Sequence, residues 1–112
     1  MSSLPADYLH GVELFNRGEY FACHEALEGL WQSAAGEERE FLHGLIQAAA
    51  ALHHDRRGNL KGARGVYERA RRKLASLPPT VMHLPVERLL ADLDDYFASD
   101  RSRPKPPRIQ LL

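Results

Sequence analysis

Apolar side chains recur every three to four residues along almost the whole chain, which is the spacing of amphipathic helices. We predict five helices: one from Asp7, placed as an N-cap, to Gly18, and others over about 19–33, 37–57, 60–76 and 85–98. Glycine or proline interrupts the pattern between these segments. No segment shows the pattern of a strand, so we expect an all-α fold.

The breaks between the helices contain a repeat. Residues 17–20 (Arg-Gly-Glu-Tyr) and 57–60 (Arg-Gly-Asn-Leu) lie forty residues apart, and each separates two helices at a glycine. After the second copy, Ala63, Tyr67 and Ala70 are spaced as in the second helix of a tetratricopeptide hairpin. We therefore predict a compact bundle of two tetratricopeptide-like hairpins and a C-terminal helix.

Length and composition are those of one globular domain. The chain has 112 residues, 44% of them hydrophobic, and a single cysteine, Cys23, which excludes an internal disulfide. It has neither an apolar run long enough to span a membrane nor a signal peptide near its start, so we expect a cytoplasmic protein without membrane contact. Residues 1–100 are expected to form the domain, and 101–112 an irregular tail rich in proline and basic residues.

Zero formal charge conceals blocks of opposite sign. Residues 1–54 carry a net charge of −6, 55–75 of +6, 76–100 of −4 and 101–112 of +4. Such blocks can pair within the molecule, join two copies, or present a basic surface to an anion. The basic helix at 56–73 has one aromatic residue, Tyr67, so it lacks the interleaved aromatics of a single-strand binder; nucleic-acid binding is a secondary hypothesis.

Polar residues interrupt the apolar arc of the second helix. His24 and Glu28 lie one turn apart, between Trp31 and Phe21, with Glu25 at the edge of the arc. His53 interrupts the apolar face of the third helix. Because neighbouring helices pack about 8 to 10 Å apart, we expect a buried cluster of His24, Glu28 and His53 capped by Trp31.

Three interpretations of this cluster remain open. It can be a core hydrogen-bond network that sets helix register. It can be a metal site, because two histidines and a carboxylate are a ligand set of catalytic zinc. It can also carry acid–base chemistry, because a histidine beside a carboxylate exchanges protons near neutral pH. The order His-Glu-Ala-Leu-Glu is not the zincin motif, and we predict no obligatory cofactor.

These residues resemble the domain-of-unknown-function family 309. The pattern that carries the resemblance is His-Glu-x-x-Glu-x-x-Trp at 24–31, Gly-Leu-Ile-Gln at 44–47, an alanine-rich run, His53 and Gly58-Asn59. The resemblance spans about residues 8–90 and implies a small all-helical protein without an established activity. It also implies that His24, Glu28 and His53 belong to one centre, with Trp31, Gly44, Gln47, Gly58 and Asn59 as supporting positions.

Two functions are consistent with the sequence. The first is a non-enzymatic binding or assembly module that binds a protein partner or a second copy of itself around the His/Glu centre. The second is a small hydrolase, metal-dependent or acid–base, that uses His24, Glu28 and His53, with Glu25 at the rim. A sealed core favours the first, whereas a cleft that reaches His24 favours the second.

Overall fold

The computed structural model describes residues 3–98 and 105–112, and five helices dominate it. The prediction of an all-α fold with about five helices is confirmed. The helices are α1 (Ala6–Asn16), α2 (Tyr20–Ser33), α3 (Gly36–Arg56), α4 (Leu60–Ala75) and α5 (Val86–Ala98); two short strands, β1 (Thr80–Val81) and β2 (Leu84–Pro85), lie between α4 and α5.

The longest helix, α3, lies at the centre of the bundle. It packs against α2 on one side and α4 on the other, while α1 packs on α2 and α5 on α4. The core residues of α3 are apolar on both flanks, as a helix between two neighbours requires. Over much of its length α3 therefore reaches solvent through a narrow strip between α2 and α4.

The predicted repeat corresponds to two equivalent helix ends. Gly18 follows α1 with a φ of 78°, and Gly58 follows α3 with a φ of 82°, a left-handed conformation that favours glycine. After each glycine the next helix starts within two residues, so α1–α2 and α3–α4 both form tight antiparallel pairs. Arg56 joins the two ends by donating a hydrogen bond from Nη1 to the Gly18 carbonyl oxygen at 2.7 Å.

Two local predictions were wrong. The N-cap of α1 is Pro5, and Asp7 lies inside the first turn, where its carboxylate still faces the positive end of the helix dipole.

The expected absence of strands is corrected by β1 and β2, which pair antiparallel around Met82 and His83, both with positive φ. These residues carry none of the Asn-Gly preference of such a turn, so no sequence signal marked it. The hydroxyl of Tyr8, a fully buried residue of α1, donates to the Met82 carbonyl and so ties the turn to α1.

Residues 105–112 have no helix or strand and lie against the bundle. Ile109 is buried, and its backbone forms two hydrogen bonds with the Asn16 side chain, at 2.8 and 2.7 Å. The Leu112 amide donates to the His83 carbonyl at 2.8 Å. The expected domain boundary after residue 100 lies outside the described residues.

No described helix combines the length and the hydropathy that crossing a membrane would require.

Candidate functional site

The three residues of the expected cluster do not form a buried centre. His24 and His53 are half-buried, and Glu28 is exposed, as is Glu25. In the described chain, no hydrogen bond joins His24, Glu28 and His53. The prediction of a buried His/Glu hydrogen-bond network is therefore wrong in this structure.

The rotation of α2 explains the difference. Its buried residues are Tyr20, Cys23 and Leu27, which face α1 and α3. His24 lies at the edge of that buried strip, and Glu28, one turn later, lies beyond it. A carboxylate in this position keeps its contact with water, so it avoids the desolvation cost that would make a partner necessary in the core.

Aromatic contacts are found in place of the expected His/Glu cluster at one end of α2. The ring of Phe21 lies 5.8 Å from the ring of His53, and the ring of His53 lies 6.0 Å from that of His54. Nδ2 of Asn59, which also caps α4, lies 3.4 Å from Nδ1 of His54. Residues at the start of α2, the end of α3 and the start of α4 thus form one continuous surface.

At the other end of α2, Trp31 stacks on His43 with 4.9 Å between ring centroids and an angle of 21° between their planes. The Arg39 guanidinium carbon lies 4.8 Å from the centre of the Trp31 ring, and Nη1 of Arg39 donates to the Trp31 carbonyl at 3.0 Å. Trp31 therefore caps His43 of α3 instead of the expected cluster.

All these contacts lie on one side of the α2–α3–α4 layer, which we call the three-helix face. It consists of Phe21, His24, Glu25, Glu28 and Trp31 from α2, His43, Gln47, Ala50, His53 and His54 from α3, and Arg69, Arg72 and Lys73 from α4. Its α3 residues are all half-buried, as expected of a strip bordered by two helices. Its α2 border is acidic and its α4 border is basic.

A pocket of about 440 Å³ lies between α3 and α4 on this face. Its walls include Glu40, His43 and Gln47 from α3 and Arg69, Arg72 and Lys73 from α4. We call it the α3–α4 pocket. Lys73 donates to Oε1 of Glu40 at 2.9 Å, and Oε1 of Gln47 is a buried acceptor without a hydrogen-bond partner in the described chain.

Ionisable groups around the pocket affect one another. Hydrogen bonding to Lys73, together with its charge, lowers the pKa of Glu40. Burial lowers the pKa of His43 below its ordinary value of 6.5, Lys73 and Arg39 add to this effect, and Glu40 opposes it. His43 is consequently held in its neutral form against Trp31 at neutral pH.

Metal binding by the expected residues has no geometric support. Within residues 3–98 and 105–112, no group of three or more His, Cys, Asp or Glu side chains is arranged to hold a metal ion. The structure does not bring His24, Glu28 and His53 together as a three-ligand set, because Glu28 turns outward and His53 packs against Phe21.

Comparison with known proteins agrees with the resemblance in sequence. The family model of the domain of unknown function DUF309 matches residues 8–66. The chain belongs to this family. Among solved structures, the crystal structure of a conserved hypothetical protein from Thermus thermophilus, TTHA0068, is similar, with a TM-score of 0.74 and 33% identity; the match covers 87% of this chain and all of that one.

Two curated relatives of this DUF309 protein are themselves uncharacterised. YpuF of Bacillus subtilis (strain 168) is 44% identical over 59 residues, which are 52% of this chain and 33% of YpuF. A protein of Aquifex aeolicus (strain VF5) is 28% identical over 97 residues, which are 86% of this chain and 29% of that protein. The chain thus aligns with about a third of the length of either relative.

The supporting positions of the DUF309 pattern have separate structural roles. Gly44 lies at a close approach of α4 to α3, since a Cβ atom there would be 2.9 Å from Cδ2 of Leu74. Gly58 ends α3 with its positive φ, and Asn59 caps α4 by accepting from the Gly62 amide at 3.0 Å. Gln47, by contrast, lines the α3–α4 pocket.

Sequence reasoning missed His43, Arg69 and Arg72 as site residues. In the sequence, His43 lies on a polar stripe of α3 with Glu40, Gln47 and His54, but nothing there links it to Trp31. The stripe itself was a usable signal, because four polar residues at helical spacing on an otherwise apolar helix mark its solvent side. Which α2 and α4 side chains border that stripe depends on helix packing.

We expect His43 to make the protein less stable in acid. Because its pKa is lower in the folded chain than in the unfolded chain, the unfolded chain takes up a proton first as the pH falls below about 6.5. The free energy of unfolding should therefore be highest above this pH and decrease below it. Urea unfolding of wild type, His43→Gln and His43→Phe at about pH 7.5 and pH 5 measures the effect.

Both variants lack the titrating ring, and His43→Phe retains an aromatic side chain against Trp31. Each should lose less stability than wild type on acidification. Part of the dependence should persist, because burial, Arg57 and His54 also lower the pKa of His53. The same loss of stability in wild type and in both variants would show that His43 does not cause it.

Proposed function

We propose that this protein is a non-catalytic binding module and that a partner protein docks on its three-helix face. The observation that supports this proposal is the partial exposure of residues from the family pattern. His24, Trp31 and His53 belong to the sequence pattern of the family, yet they are half-buried on one surface, while other residues form the core. Half-buried aromatic and arginine side chains are the groups that contribute most at protein interfaces.

The geometry favours binding over the hydrolase hypothesis. An acid–base pair needs its two groups within hydrogen-bond reach of each other or of a substrate. In the described chain, His24 and His53 have no carboxylate hydrogen-bonded to them, and the most specific contacts on the face are ring contacts: Trp31 with His43 and Phe21 with His53. Ring surfaces of this kind suit recognition of another surface.

The arrangement of the hairpins adds support. In this proposal, α1–α2 and α3–α4 stack as tetratricopeptide-like hairpins and present α2, α3 and α4 side by side, in the manner of a peptide-binding scaffold. We also place this binding in the cytoplasm, as the sequence led us to expect.

Site-specific photo-cross-linking tests the proposal. Phe21 is 57% exposed on the face, so it can be replaced by the photoreactive residue benzoylphenylalanine with little effect on packing. Leu9 of α1, 46% exposed and outside the face, provides a matched control position. In host cells we expect a discrete cross-linked product with one partner protein from position 21 and none from position 9. Mass spectrometry then identifies the partner and shows that the cross-link joins it to the three-helix face.

A second arm separates binding from stability. The double variant His24→Ala with Glu28→Ala should abolish this cross-linked species and lower the free energy of unfolding by less than about 1 kcal/mol, as expected of side chains outside the core. An equal yield of the same species from position 9 would contradict the proposal. So would a double variant that is strongly destabilised but still cross-links.

A further inference from the structure

The α3–α4 pocket concentrates positive charge on one border of the three-helix face. Arg69, Arg72 and Lys73 line it, and Glu40 is the single carboxylate among the described residues of its wall. Arg69 and Arg72 are exposed and have no ion-pair partner among the described residues, whereas Arg71 on the opposite side of α4 pairs with Asp94 of α5 at 3.1 Å. On the α5 side Arg71 is therefore paired with a carboxylate, whereas two of the three basic side chains at the pocket, Arg69 and Arg72, have no ion-pair partner among the described residues.

The pocket already holds one carboxylate. Glu40 accepts a hydrogen bond from Lys73 across the gap between α3 and α4, at 2.9 Å, and the ion pair is largely open to water. Lys73 is the less exposed of the two side chains, at 23% against 52% for Glu40. Glu40 thus shows which chemical group suits the pocket, and it leaves both arginines available for others.

One side chain that lines the pocket, Gln47, has an unpaired acceptor. Oε1 of Gln47 is buried without a hydrogen-bond donor in the described chain, and an unpaired buried acceptor costs about 1 to 3 kcal/mol. A group that brings an N–H to this position would remove that cost. An acidic peptide presents both kinds of group close together: side-chain carboxylates and backbone N–H donors.

On the basis of the function proposed above, we propose that the α3–α4 pocket recognises an acidic segment of the partner protein. Carboxylates of the segment pair with Arg69 and Arg72, whose planar guanidinium groups suit them. The Gln47 side chain turns toward the segment, so that its Oε1, which is buried in this structure, accepts a hydrogen bond from a backbone N–H of the segment. The segment lies along the groove between α3 and α4, and its neighbouring residues reach Trp31 and His43.

The remaining charges on the face favour a short acidic segment over a nucleic acid. Glu25 and Glu28 are exposed along the α2 border, where they repel the continuous negative charge of a nucleic acid. A free inorganic anion is also disfavoured, because exposed arginines contribute only about 0.2 to 1 kcal/mol each. In a segment that makes several such contacts at once, the free energies of the individual contacts add together.

Titration with a defined peptide tests the inference. The probe is N-acetylated hexaglutamate amide, and the control probe is the uncharged hexaglutamine amide of the same length. Binding is followed in the full chain by the ¹⁵N NMR shift of the Gln47 side-chain amide at low salt. We expect a saturable shift with hexaglutamate that weakens as salt is added, and no saturation with hexaglutamine.

Three variants in the pocket are expected to change hexaglutamate affinity in opposite directions, and a fourth, outside the pocket, is the control. Arg72→Gln should weaken hexaglutamate binding about threefold, and the double variant with Arg69→Gln about tenfold. Glu40→Gln removes the competing internal carboxylate, so it should strengthen binding about twofold to threefold. Lys61→Gln, an exposed cation of the same helix outside the pocket, should change binding by less than about twofold.

Several results would overturn the inference. An equal effect of Lys61→Gln and Arg72→Gln would mean diffuse attraction to the whole helix. Tighter binding of a single-stranded RNA, or of inorganic phosphate, with the same dependence on Arg69 and Arg72 would assign the pocket to another ligand. Absence of a saturable hexaglutamate shift, while cross-links still map to the three-helix face, would refute this inference alone. Cross-links that map elsewhere would refute the proposed function.

Discussion

Replacing Phe41 by alanine is expected to lower the free energy of unfolding by about 3 to 5 kcal/mol. Phe41 is completely buried in α3, and its ring meets the ring of Tyr8 edge to face at 6.1 Å. It therefore joins the central helix directly to α1. Alanine would leave a cavity that rigid helices on several sides cannot fill.

Denaturation in urea, followed by circular dichroism at 222 nm, measures this loss as a lower midpoint with an unchanged slope. Phe21→Ala is the matched control, because it removes the same side chain from a position that is 57% exposed. We expect the control to cost less than about 1 kcal/mol. Similar losses in the two variants would contradict the assignment of Phe21 to a surface and Phe41 to the core.

Replacing Gly44 by leucine is expected to destabilise the protein by about 3 kcal/mol or more. A Cβ atom at this position would lie 2.9 Å from Cδ2 and 3.2 Å from Cγ of Leu74, which is itself fully packed in the core. The added side chain would therefore force α3 and α4 apart. Because the α3–α4 pocket lies between the same two helices, the variant should also alter the pocket.

Gly29→Leu is the matched control for this substitution. Gly29 is exposed within α2, and a Cβ atom there would have no neighbour within 4 Å. Because glycine is a poor helix former, leucine at this position should stabilise the protein by about 0.5 to 1 kcal/mol. Urea unfolding of the two variants should thus give changes of opposite sign, and the same sign in both would show that close helix packing at Gly44 is not the cause.

The helices themselves could be predicted from local sequence. Their hydrogen bonds join residues four apart, so the apolar spacing and the breaks at Gly18, Gly58 and Pro78 contain most of the information that places them. The family resemblance was equally accessible, because it depends on residue identities at fixed spacings. Even the polar stripe of α3 that became the floor of the site was visible in the sequence.

The partners of each site residue could not be predicted in the same way. His24, Glu28 and Trp31 lie near the edge of the buried strip of α2, where a small rotation of the helix decides between core and solvent. The strip is set by how Tyr20, Cys23 and Leu27 fit against α1 and α3. That fit involves side chains from three helices and has no signature within any one of them.

For this protein, the sequence by itself determined five helices, their order, their ends at glycine and proline, and the family. Tertiary structure alone decided that the histidines of the family pattern lie on an open face, that Trp31 stacks on His43, and that Arg69 and Arg72 at the α3–α4 pocket lack ion-pair partners among the described residues. The physical reason is the range of the interactions: helix formation depends on neighbours along the chain, whereas burial and charge pairing depend on side chains that only packing brings together.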